Sequence, residues 1–143
     1  MRNFLTALVL GLAIALANFA PALAERVEVR VSISRQVMTV FHEGRKLFEW
    51  PVSTAKSGYV TPAGSWTPEF LSRDHRSRRY NNAPMPWAIF YHGNYAIHGT
   101  DAVKRLGKPA SHGCVRLHPK NAKILFRMVK AEGMQNTRVT IVQ

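Results

Sequence analysis

The chain has a single cysteine, Cys114, among its 143 residues. No disulfide can close within it, so the disulfide-stapled scaffold common among small exported domains is excluded. Acidic side chains are scarce: 8 Asp and Glu stand against 20 Lys and Arg, a formal charge of +12. That imbalance suits polyanions such as nucleic acid, anionic lipid headgroups or acidic cell-wall polymer, with plain solubility as the alternative. There is no internal repeat and no long low-complexity stretch, and the length fits one domain with one modest core. Long apolar runs are missing too, apart from one at the N-terminus.

That run, Phe4 to Ala20, follows the basic Arg2 and precedes Ala22-Leu23-Ala24. A short basic start, an apolar stretch and a small-x-small site form the pattern of a cleaved secretory signal peptide. At about 17 residues the run sits at the short limit of a membrane span, so a retained anchor is the rival reading. The expectation is a signal peptide at 1–24 and a mature domain at 25–143, with no stable transmembrane segment after cleavage. The location follows as exported, with the periplasm favoured. Cleavage takes only Arg2 from the charge count and leaves +11. For an exported protein, wall and membrane outrank nucleic acid, and no nucleic-acid partner is expected.

The rest of the chain reads as mostly β. Val27, Val29, Val31 and Ile33 alternate with polar residues, the period of a half-buried strand. Val37 to Phe41 repeats the theme, Glu43-Gly44 turns the chain, and Lys46 to Val52 follows as a third strand. Trp66 and Phe70 are expected to share a face and pack inward. Ser72 to Pro86, with four arginines, Asn81-Asn82 and two prolines, reads as a long basic surface loop or lid. Trp87 to Tyr91 and Tyr95 to His98 form a hairpin about Gly93-Asn94. Ala102 to Leu106 suits a short helical turn. Pro119 suits the first turn of a helix in which Ala122, Leu125, Phe126 and Val129 recur at helical spacing, until Gly133 stops it. Val139 and Ile141 mark a final strand.

Chemistry concentrates around Cys114. A nucleophilic thiol needs a base, access to substrate, and donors for the oxyanion that develops. His98, at a strand end and followed by Gly99, is the candidate base. Ser111-His112-Gly113-Cys114 supplies an imidazole and backbone N–H groups beside the thiol, with Gly113 allowing close approach. Arg116 is placed to lower the thiol pKa or to hold a substrate carboxylate. The competing reading is a small buried hydrophobe. A zinc site of Cys114, His112 and His98 lacks a fourth ligand and the usual spacing, so no metal is expected. His42, His75, His92 and His118 have no comparable setting and are expected at the surface.

These residues together resemble a known family. His98-Gly99-Thr100, Leu106-Gly107 and Ser111-His112-Gly113-Cys114-Val115-Arg116-Leu117 closely resemble the signature of the L,D-transpeptidase catalytic domain, also called YkuD-like. Val52-Ser53-Thr54 and Thr61-Pro62-Ala63-Gly64 resemble its weaker upstream landmarks. The resemblance covers essentially the whole mature chain. It implies a β-sandwich with one main helix after the cysteine motif and a C-terminal strand. It implies acyl transfer on peptidoglycan stem peptides, with no cofactor. Cys114 would attack the stem and expel the terminal D-alanine. The resulting thioester would pass to an amine on a second stem, giving a 3→3 cross-link. His98 would manage the protons, oriented by the Gly99 carbonyl. Ser111, His112 and Gly113 would support the oxyanion, Arg116 would position substrate, and carbapenem-type β-lactams would acylate Cys114. Water as acceptor would make an L,D-carboxypeptidase, and a lysine of an envelope protein would make an anchoring enzyme. A non-catalytic exported protein that binds wall or polyanion is the alternative of another class.

Overall fold

A computed structural model describes residues 25–143. The signal peptide expected at 1–24 lies outside the described residues. Strands β1 (Val27–Ser32), β2 (Val37–His42) and β3 (Arg45–Pro51) form an antiparallel meander. Alternation decides the faces: Val27, Val29 and Val31 are buried while Glu28, Arg30 and Ser32 look outward. The last strand, β9 (Thr137–Val142), inserts parallel to β1, and the short β4 (Gly64–Trp66) flanks it. The order of this five-stranded sheet is β3-β2-β1-β9-β4. A second sheet, of order β5-β6-β7-β8, joins β5 (Phe70–Ser77), β6 (Ala83–His92), β7 (Tyr95–Gly99) and β8 (Val115–Leu117).

One helix, α1 (Pro119–Glu132), follows β8. Pro119 fills its first turn, where a missing N–H costs nothing. The His118 ring accepts from the Lys120 N–H as the N-cap, and Gly133 ends the helix. The buried residues Ala122, Leu125, Phe126 and Val129 are the four that the helical spacing marked. They join Val29, Val31 and Ile141 of one sheet and Ile89, Ile97 and Leu117 of the other in a single core. The fold is thus a mostly β sandwich with one main helix and a C-terminal strand. Among the described residues no helix is long and apolar enough to cross a membrane.

Two expectations need correction. Residues 72–86 are not a long loop. They belong to the β5–β6 hairpin, whose turn is confined to the residues between Ser77 and Ala83. Pro84 and Pro86 are tolerated because that half of β6 pairs with β5 alone, while β7 pairs only with the half from Ile89 to His92. Phe70 does not pack inward with Trp66. It opens the edge strand β5, is 56% exposed, and lies 5.8 Å from Phe90. Trp66 does pack against the core, beside Tyr91 at 5.4 Å.

Candidate active site

The β7–β8 pairing brings the two halves of the signature together. Ile97 sits opposite Val115 and His98 opposite Arg116 in parallel register. Ile97 and Val115 point into the core. Side chains alternate along a strand, so His98, Arg116 and Cys114 fall on the opposite, outer face. Ala96 and Cys114 pack there against Met85 and Ala88. His98 therefore lies two positions along the same face from the residue level with Cys114.

His98 is buried, and its Nδ1–H donates to the Gly99 carbonyl at 2.7 Å. That bond fixes the tautomer and leaves Nε2 as a lone-pair acceptor. Burial pushes the His98 pKa down to about 4, opposed by the Gly99 bond and aided by the Arg116 and His75 charges. The ring is neutral at pH 7 and ready to accept a proton. Gly99 suits a close approach: a Cβ there would lie 3.1 Å from both Pro119 Cα and Pro86 Cγ, tighter than ordinary contact.

Cys114 is half-buried. Its Sγ–H faces the Asn94 carbonyl at 3.8 Å, a long contact. Burial pushes the thiol pKa up, and the Ala96 N–H directed at sulfur and the Arg116 charge only partly offset this. Sequence reasoning gave Arg116 the power to lower the thiol pKa; desolvation outweighs it. The resting group is a thiol, and a neighbouring base has to remove its proton at the moment of attack. Arg116 also braces the site. Its Nη1 donates to the Ala110 carbonyl at 3.3 Å, and its backbone exchanges hydrogen bonds with Ser53.

The segment that carries Cys114 is held by groups with no chemistry of their own. Ser111 is buried, and its Oγ accepts the Gly113 N–H at 3.0 Å. That N–H is therefore engaged, which leaves the Cys114 N–H as the backbone candidate of the pair for an oxyanion. Thr61 Oγ1 accepts from the Ala55 N–H at 2.9 Å and donates to the Gly113 carbonyl at 2.8 Å. A trans peptide points its C=O and N–H in opposite directions. Tying the Gly113 carbonyl to Thr61 thus turns the Cys114 N–H away from Thr61. Gly113 itself has φ 132°, and a Cβ there would lie 2.7 Å from Tyr95 Cε1 and 2.9 Å from the Val60 carbonyl. The Ala110 and Ser111 N–H groups both donate to the Thr54 carbonyl, and Thr54 is gripped in turn by the Gln36 side chain.

His112 projects between two aromatic rings, edge-on to Tyr59 at 4.7 Å and stacked on Tyr80 at 4.2 Å. Tyr80 comes from the turn of the β5–β6 hairpin, so the basic segment does reach over the site, as a hairpin tip. Burial, Lys56 and Arg116 push the His112 pKa down, leaving a neutral ring able to donate one N–H. Of the other histidines, His75 is half-buried against Phe90, close enough for its charge to act on His98. Thr61, Gln36, Tyr59 and Tyr80 escaped sequence reasoning as site residues. Thr61 alone carried a signal, its place in Thr61-Pro62-Ala63-Gly64.

Comparison with known proteins gives the family and the fold. The L,D-transpeptidase catalytic domain family, YkuD, matches over residues 26–141. YkuD of Bacillus subtilis (strain 168) is 29% identical over 113 residues, which cover 79% of this chain and 64% of that protein. The chain thus spans just under two thirds of that relative's length. A crystal structure of an L,D-transpeptidase from Stackebrandtia nassauensis is 26% identical with a TM-score of 0.71, covering 82% of this chain and 55% of that one. The LD transpeptidase LdtMt1, solved in complex with imipenem, shares the fold at 23% identity and a TM-score of 0.72, over 82% and 59% of the two chains. With the signature residues gathered on one face of the β7–β8 pair and the match running through the whole sandwich, the chain belongs to the L,D-transpeptidase catalytic domain family.

Proposed function

We propose that the chain is an exported peptidoglycan L,D-transpeptidase that works through a Cys114 thioester. The observation that carries the reading is the 2.7 Å bond from His98 Nδ1–H to the Gly99 carbonyl, which leaves a neutral imidazole with Nε2 free on the face that bears Cys114. As Sγ attacks the carbonyl of the third stem residue, Nε2 takes the thiol proton. The carbonyl oxygen becomes an oxyanion held by the Cys114 N–H and the His112 ring. Collapse breaks the bond to the terminal D-alanine, whose nitrogen receives the proton from His98 and leaves. An acceptor amine then attacks the thioester and gives its proton to His98. A new amide forms, and Cys114 leaves as thiolate and is reprotonated. Arg116, opposite His98 in the pairing, holds the adjoining segment and offers a cation to a stem carboxylate.

Intact-mass spectrometry after incubation with imipenem tests the first half. One adduct on the wild-type chain and none on Cys114→Ala is the expected result; an unmodified wild-type chain would end the thioester reading. Incubation with tetrapeptide muropeptides reads the second half: a cross-linked dimer identifies an amine acceptor, and a tripeptide alone identifies water.

A further inference from the structure

Helix α1 turns one face to the core and leaves the other uncovered. The uncovered face carries Lys120, Lys123, Arg127 and Lys130, spaced three, four and three apart. At 1.5 Å of rise per residue they form one row about 15 Å long. Among the described residues none of the four takes part in an ion pair. The only acid on the helix, Glu132, is already engaged by Arg26 at 3.1 Å and His42 at 2.9 Å. Like charges at these spacings repel along a helix, and nothing in α1 relieves them. The row continues onto the sheet at one corner, where Lys123 Nζ and the Arg73 guanidinium each lie 5.4 Å from the centroid of the Trp87 ring. Ile124 is 40% exposed within the same face, four residues after Lys120 and three before Arg127.

This face lies on the far side of the four-stranded sheet from Cys114. The buried side of α1 packs with Ile97, Val115 and Leu117 on the inner face of the four-stranded sheet, whereas Ala96 and Cys114 belong to its outer face. A group bound along the row does not reach Cys114.

We infer that α1, with the Arg73–Trp87 corner, is a docking surface for an anionic phospholipid membrane. Each Lys or Arg close to such a surface strengthens binding by about fivefold. The long lysine stems let the charges reach the phosphate plane while Ile124 enters the interfacial zone. A linear polyanion would be met by cations alone. An exposed isoleucine between Lys120 and Arg127 fits a surface with an apolar layer under its charges. Docked this way, the chain turns the sheet face that bears Cys114 away from the bilayer.

The core closes within 25–143, so the chain from Glu25 onward is the material for the test. Co-sedimentation with phosphatidylglycerol/phosphatidylcholine vesicles is compared with pure phosphatidylcholine vesicles and with long-chain polyphosphate. Wild type binds the anionic vesicles and releases them as salt is raised. The triple variant Lys120→Gln, Arg127→Gln, Lys130→Gln loses roughly a hundredfold in affinity. The control triple Arg35→Gln, Arg45→Gln, Lys108→Gln, equal in charge and elsewhere on the surface, loses several times less. Ile124→Ser weakens vesicle binding severalfold and leaves polyphosphate binding unchanged. Equal losses in the two triples would mean that net charge alone acts and would overturn the inference. Binding of polyphosphate without vesicles, or indifference to Ile124→Ser, would assign the row to a linear polyanion and equally overturn it.

Discussion

At the scale of single residues, the site is governed by two opposed desolvation effects. Burial keeps His98 unprotonated and keeps Cys114 a thiol, so the two do not rest as an ion pair. His98 has to be neutral to act as base. The rate of Cys114 acylation should therefore rise as pH passes about 4 and stay level through neutrality, whereas an ion-pair site would fall again on the alkaline side as its imidazolium loses the proton. Stopped-flow acylation across pH reads this directly. The same burial links to stability. An unfolded histidine titrates near 6.5 and folded His98 near 4, so between those values the unfolded chain binds more protons and acid favours it. The wild-type fold should lose roughly 3 kcal/mol more than His98→Gln as pH falls through that window, measured by urea unfolding at each pH. Thr61 acts through geometry alone. Thr61→Val keeps the shape and removes the hydrogen bond that holds the Gly113 carbonyl, together with the one from the Ala55 N–H. Acylation should fall about tenfold to a hundredfold, less than the hundredfold or more that follows outright loss of an oxyanion donor, because the Cys114 N–H is loosened and not removed. Alkylation of Cys114 by iodoacetamide, which needs no oxyanion donor, should change far less, and Thr61→Ser should restore acylation. Parallel loss of both rates would reduce Thr61 to a folding role.

At the scale of elements, the β5–β6 hairpin shows how local signals mislead. Arginines, paired asparagines and two prolines read as an irregular loop because each is a turn or solvent residue taken alone. The pairing of His75 with Met85 and Arg76 with Pro84 outweighs them, and the asparagines survive only as the turn, both with positive φ. The expected lid persists as the hairpin tip, since Tyr80 stacks on His112 two residues before Cys114. Such a stack is worth about 1 kcal/mol. Tyr80→Ala should free the tip and raise the rate of Cys114 alkylation severalfold; an unchanged rate would show that the tip does not shield the thiol. Helix α1 is the opposite case, because its period, first proline and closing glycine all agree with the packed result.

At the scale of the whole molecule, the first and last strands of the described residues meet: β9 lies between β1 and β4, so the five-stranded sheet is complete only once Val142 has been made. Ile141 is buried in that sheet, whereas His98 and Cys114 belong to the other. Ile141→Ala should destabilise the fold by about 2–5 kcal/mol in urea unfolding while leaving the pH dependence of acylation in place. The sequence by itself determined the strands with clean alternation and the helix, and it marked His98 and Cys114 as candidates, because period, turn chemistry and a reactive side chain are local properties. It also marked Ser111, Gly113 and Arg116, but the tertiary structure decided their parts. Pairing of β7 with β8 set the thiol and the imidazole on one face, and Ser111 took the Gly113 N–H out of play. Desolvation fixed the protonation of both reactive groups. The grip of Thr61 and Gln36 on the segments around Cys114 depends on contacts between residues far apart in the chain, and no local pattern encodes those. The lone Cys114 was legible as a candidate from its neighbours; its protonated resting state was legible only once the fold had buried it.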